Sequence, residues 1–101
     1  LIMLFSILND FSEVNKDKSQ KTLFVVMPQY FDLVKKDKTS SSYQAYFKNL
    51  SKNFEILDLT NDLHKFNLNK IFLDDKFGGH YSEYGNKVVS EILYKKIKEM
   101  I

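Results

Sequence analysis

Two short apolar runs, Thr22-Leu23-Phe24-Val25-Val26-Met27 and Phe54-Glu55-Ile56-Leu57-Asp58-Leu59-Thr60, stand about one helix apart, and this spacing constrains the fold more than any other feature. The first run is continuous, β-branched and aromatic, and Pro28 stops it. That pattern predicts a strand buried on both faces of a parallel sheet. The second reads as a strand of the same kind. Between them Tyr43, Tyr46, Phe47 and Leu50 fall at helical spacing, with Ser42 positioned to cap. Strand, helix, strand is a βαβ unit, so the two strands are expected to run parallel. Gln29 to Ser42, with Lys35-Lys36-Asp37-Lys38 inside it, reads as a surface loop.

On the N-terminal side Leu1, Leu4, Phe5, Leu8 and Phe11 share one helical face, which predicts a core helix before the polar stretch Lys16 to Lys21. The apolar run is shorter than the ~20 residues of a membrane span. It has no basic flank and no small-residue cleavage site, and its start at Leu1 is the pattern of an excerpt from a longer protein.

Beyond the second strand, Asn61 to Phe66 reads as a short helical turn capped by Thr60 or Asn61. Ile71-Phe72-Leu73 then returns toward the sheet, and Asp74-Asp75-Lys76-Phe77-Gly78-Gly79-His80 makes a sharp turn. From Ser82 onward Gly85, Val88, Val89, Ile92, Leu93, Ile97 and Met100 form an amphipathic stripe. Glu83 in its first turn and Lys95, Lys96 and Lys98 near its end suit the helix dipole. No repeat or linker divides the chain, so residues 1–101 are expected to form one α/β domain.

Composition narrows the chemistry. Fifteen basic and thirteen acidic residues, interleaved, give a net charge of +2 and no basic stripe for nucleic acid. Cysteine is absent, which excludes a disulfide framework, a thiolate zinc site and a cysteine nucleophile. In an open parallel sheet, ligands bind outside the carboxyl ends of the strands. Gln29 and Tyr30 leave the first strand there and are candidates for lining a substrate cleft; the alternative for both is packing. His80 lies on the same edge, at a loop-to-helix junction. An imidazole with a carboxylate a few residues upstream is the pair that acyl transfer needs, one to take a proton from a hydroxyl and the other to hold the tautomer. A tight Gly-Gly-His turn with a purely structural histidine is the alternative. His64, beside Lys65, reads as a solvated surface residue.

The stretch from Asp75 through His80, Ser82 and Gly85 to Val89 resembles the last block of SGNH/GDSL hydrolases, in which an acidic residue and the catalytic histidine precede a Gly and an amphipathic closing helix. The strand ending Met27-Pro28-Gln29 and the strand Glu55 to Thr60 are similar to later strands of that family. The resemblance covers the whole chain as the family's C-terminal half. It implies a three-layer flavodoxin-like parallel sheet flanked by helices, incomplete at its N-terminal side. It also implies a serine ester hydrolase or O-acyltransferase in which His80 is the general base and Asp75, or Asp74, orients it. The implied substrate is a small-molecule or carbohydrate acyl ester, with no metal or organic cofactor. The family's Asp usually stands three residues before the His, where this chain has Phe77, and its Gly-Asp-Ser nucleophile motif is not in this sequence. The nucleophile is therefore expected from an N-terminal half of the same protein.

Overall fold

A computed structural model describes residues 2–34, 42–73 and 79–101. The element order is α1 (Ile2–Asp17), β1 (Phe24–Val26), α2 (Tyr30–Val34), α3 (Ser42–Leu50), β2 (Ile56–Asp58), α4 (Thr60–Leu63), α5 (Leu68–Ile71) and α6 (Glu83–Met100). The expected parallel pairing is present, with Phe24 opposite Ile56, Val25 opposite Leu57 and Val26 opposite Asp58.

The expected flavodoxin-like three-layer sheet is not what forms. The described residues are 63% helix, and the only sheet among them has the two strands β1 and β2. Each strand is three residues long and only half-buried, not enclosed on both faces. The apolar runs are long enough to signal strands. With a single strand-to-strand pairing among the described residues, however, helices supply most of the packing.

The core lies on one face of the sheet. Alternate residues of a strand point to opposite faces. Val25 and Leu57 pack against a buried cluster of Leu33, Leu59, Leu63, Ile71, Phe72, Val88 and Val89. Leu59, Leu63 and Ile71 are fully buried, and each contributes about 2 kcal/mol by leaving water. The opposite face carries Phe24, whose ring meets Phe11 of α1 at 6.0 Å and Phe54 at 5.8 Å.

α6 is seated by its first turn. Ser82 caps it by accepting from the Gly85 amide at 2.9 Å, while the same hydroxyl lies 2.5 Å from the Lys70 carbonyl and 3.0 Å from that of Ile71. Gly85 is buried, and a Cβ there would stand 2.1 Å from the Ile71 carbonyl oxygen. Only glycine lets the two helix backbones approach this closely.

Two other expectations change. The stretch after Pro28, read as loop, contains α2. Its start is closed by the Asp32 side chain, whose Oδ2 accepts from the Gln29 amide at 2.9 Å, and by the backbone bond from the Asp32 amide to the Gln29 carbonyl at 3.0 Å. α1, expected as a core helix, has no buried residue among those described and leaves Met3, Ile7, Phe11 and Val14 exposed.

Candidate functional site

The carboxyl end of the sheet gathers the polar side chains. At the end of β2, the Asp58 Oδ1 accepts from the Thr60 amide at 3.0 Å and from the Thr60 hydroxyl at 2.7 Å. The N-cap of α4 is therefore Leu59, with no side-chain cap, and not Thr60 or Asn61 as expected; Asp58, just before it, binds the first amide of the helix. The Tyr43 hydroxyl lies 2.6 Å from the Thr60 oxygen. Since the Thr60 proton is committed to Asp58, Tyr43 is the donor in that contact. Asp58 also borders a cleft of about 240 Å³ that Gln44, Phe47 and Asn61 help to line.

Tyr81 reaches this edge from the loop before α6. Its hydroxyl donates to the Pro28 carbonyl at 2.5 Å, and its ring lies 4.5 Å from that of Phe72. Phe72 and Tyr81 form an antiparallel bridge, flanked by the Leu73 amide on the His80 carbonyl and the Ser82 amide on the Ile71 carbonyl, both at 2.8 Å. Gly79, at φ +122°, holds a conformation that favours glycine just before this bridge. His80 thus stands next to a tyrosine anchored at the exit of β1, with its own carbonyl accepting from the Leu73 amide, and the residue itself is exposed.

Burial pushes the Tyr81 hydroxyl up to about 12, with the charges of Tyr43 and Asp32 acting in the same direction. Burial also raises Tyr43; the Thr60 hydrogen bond opposes this, and the nearby Asp58 and Asp32 charges add to it. Both phenols therefore stay protonated at neutral pH and act as donors.

The other residues singled out from sequence divide as follows. Asp74 and Asp75 lie outside the described residues. Gln29 is exposed beside Pro28 at the sheet edge. Tyr30 is half-buried, its ring 5.7 Å from Phe72 and 5.8 Å from Phe31, so its described contacts are packing contacts. His64 is exposed as expected, and its Nε2 donates to the Leu33 carbonyl at 3.0 Å. Among the described residues, no three His, Cys, Asp or Glu side chains converge as a metal site.

Sequence reasoning missed the network of Tyr43, Thr60 and Asp58 and the anchoring of Tyr81 on Pro28. Tyr43 was indistinguishable from the rest of its helical stripe. Tyr81 carried a usable signal: an aromatic residue beside the candidate histidine, nine positions after another aromatic, Phe72, on the far side of a tight turn.

No helix among the described residues is long and apolar enough to cross a membrane. Set against known proteins, the chain matches no family model, no curated protein and no solved structure.

Proposed function

We propose that this chain supplies the general base, His80, to a serine ester hydrolase or O-acyltransferase of SGNH/GDSL type whose nucleophile lies outside these 101 residues. The observation that carries the reading is where the motif places His80. Ser82 and Gly85 have a packing role that accounts for them: one caps α6, and the other gives its backbone close approach to Ile71. His80 is exposed, with its carbonyl held by the Leu73 amide, beside Tyr81, whose hydroxyl is bound at the exit of β1. An exposed imidazole beside an anchored residue suits proton transfer, because a base must be held within hydrogen-bond reach of the proton it takes.

In this mechanism His80 takes the proton of the serine hydroxyl as its oxygen attacks the ester carbonyl. The tetrahedral intermediate collapses to an acyl-enzyme, and the departing alcohol leaves with the proton from His80. His80 then deprotonates water, or an acceptor hydroxyl in the transferase case, which attacks the acyl-enzyme and frees the serine. Asp75 is the proposed orienting carboxylate, with Asp74 the alternative. Substrates are acyl esters of small molecules or carbohydrates, and the 101 residues alone are inactive because they hold no Gly-Asp-Ser nucleophile.

The second reading is a non-catalytic binding or assembly domain, favoured by how much of the loop's described hydrogen bonding serves the Phe72–Tyr81 bridge and the α6 seat. The test is release of p-nitrophenol from short-chain acyl esters by the encoded protein that contains these residues. The hydrolase reading requires activity that falls by roughly 100-fold or more in both His80→Ala and Asp75→Asn. Equal rates in folded wild type and variants, or none on a panel of esters, leave the binding domain.

A further inference from the structure

Tyr81 joins two distant parts of the chain right beside His80. Its hydroxyl donates to the Pro28 carbonyl at 2.5 Å, fifty-three residues away in sequence. Its ring lies 4.5 Å from that of Phe72, which in turn meets the Tyr30 ring at 5.7 Å. The acceptor is a firm one. Pro28 is buried, and its own ring fixes its φ. Its carbonyl stands past the ladder of β1 with β2, which runs from Phe24 to Val26, so the sheet does not use it.

The backbone around Tyr81 is extended. Tyr81 forms the antiparallel bridge with Phe72, and the Leu73 amide holds the His80 carbonyl at 2.8 Å. Neighbouring residues of an extended segment turn their side chains to opposite sides. With the Tyr81 ring against Phe72, the side chain before it is turned outward, and burial agrees: Tyr81 is half-buried and His80 is exposed. Removing the hydroxyl leaves the ring contact in place and frees the segment from the carboxyl end of β1, the end of a parallel strand at which ligands bind.

We propose that Tyr81 is a positioning residue for His80, its bond to Pro28 fixing where the imidazole stands at the carboxyl end of β1. The proposal rests on the reading of His80 as a general base. A base acts only within hydrogen-bond reach of the proton it takes, so displacement of the imidazole slows the chemical step more than it weakens substrate binding.

The test compares Tyr81→Phe with wild type in the encoded protein by two independent readouts. The first is NMR relaxation of the His80 imidazole, whose signal is assigned by its loss in His80→Ala, and it needs no substrate. Tyr81→Phe is expected to make this ring more mobile while the His64 ring is unchanged. The second is hydrolysis of a p-nitrophenyl acyl ester per folded molecule, where kcat is expected to fall roughly tenfold and KM to stay within about twofold. Leu63→Ala, which empties a buried core position and leaves the Tyr81 hydroxyl in place, separates positioning from stability: it keeps both the His80 ring order and kcat. An unchanged ring order or an unchanged kcat in Tyr81→Phe overturns the proposal and leaves His80 as the base. Leu63→Ala lowering kcat as far as Tyr81→Phe overturns it too. Wild type that is inactive on every ester overturns the hydrolase reading itself, and the positioning role with it.

Discussion

α1 and α6 carry the same kind of amphipathic pattern, and the molecule treats them differently. α6 buries Gly85, Val88 and Val89 in its first half, and its start is joined to α5 through Ser82. α1 touches the rest of the fold through ring contacts, Phe5 with Phe54 at 5.5 Å and Phe11 with Phe24 at 6.0 Å, and through Asn15 to the Thr22 hydroxyl at 2.8 Å. An apolar stripe says which face a helix would bury. Whether it is buried depends on a seat at backbone level, which for α6 is a glycine and a capping serine.

Substitutions along the two helices can break this comparison. The largest effect belongs to Gly85→Ala, which drives a methyl to within 2.1 Å of the Ile71 oxygen. It should cost about 4 kcal/mol in urea unfolding, and a cost below about 1 kcal/mol would mean that close approach is not what seats α6. Leu63→Ala empties a fully buried position in the same core and should cost about 3 kcal/mol by the same measurement. Ser82→Ala removes the cap and leaves its carbonyl partners without that donor, for about 1.5 kcal/mol.

Tyr81→Phe keeps the ring on Phe72 and deletes the bond to Pro28, for about 1 kcal/mol at neutral pH. Its sharper signature is alkaline. Burial lifts the hydroxyl from 10.0 to about 12, so the folded state keeps a proton that the unfolded chain has lost. The Tyr81 contribution is therefore complete below the unfolded value and disappears as pH rises through the folded one. Wild type should lose more stability than Tyr81→Phe across that interval, and parallel pH profiles would place the phenol in open solvent. The smallest effect is expected on α1, where Ile7→Ser on the isolated monomer should change stability by less than about 0.5 kcal/mol. A cost like that of Leu63→Ala would show that α1 is seated after all.

The same contrast explains what was legible in the sequence. Ser82, Glu83 and the Val88/Val89 stripe announced α6 because cap, dipole and periodicity agree over eighteen residues. Parallel pairing of β1 and β2 was legible because a helix-sized insertion forces a crossover. The size of the sheet was not, since strand signals are local while sheet width depends on which segments find partners. α2 was hidden by its length: five residues hold too few apolar positions to show a period, and the cue was Asp32 three places after Gln29. At the candidate site, the loop-to-helix junction after His80 was legible from the cap Ser82. The Tyr81 to Pro28 link, spanning fifty-three residues, has no local trace.

The most direct test of the proposed role of His80 as general base is the ester hydrolysis rate per folded molecule of His80→Ala in the encoded protein. The expected result is a rate lowered by roughly 100-fold or more, with unfolding free energy within about 0.5 kcal/mol of wild type. An unchanged rate accompanied by a loss of stability like that of Ser82→Ala would contradict it and make His80 one more residue of the turn.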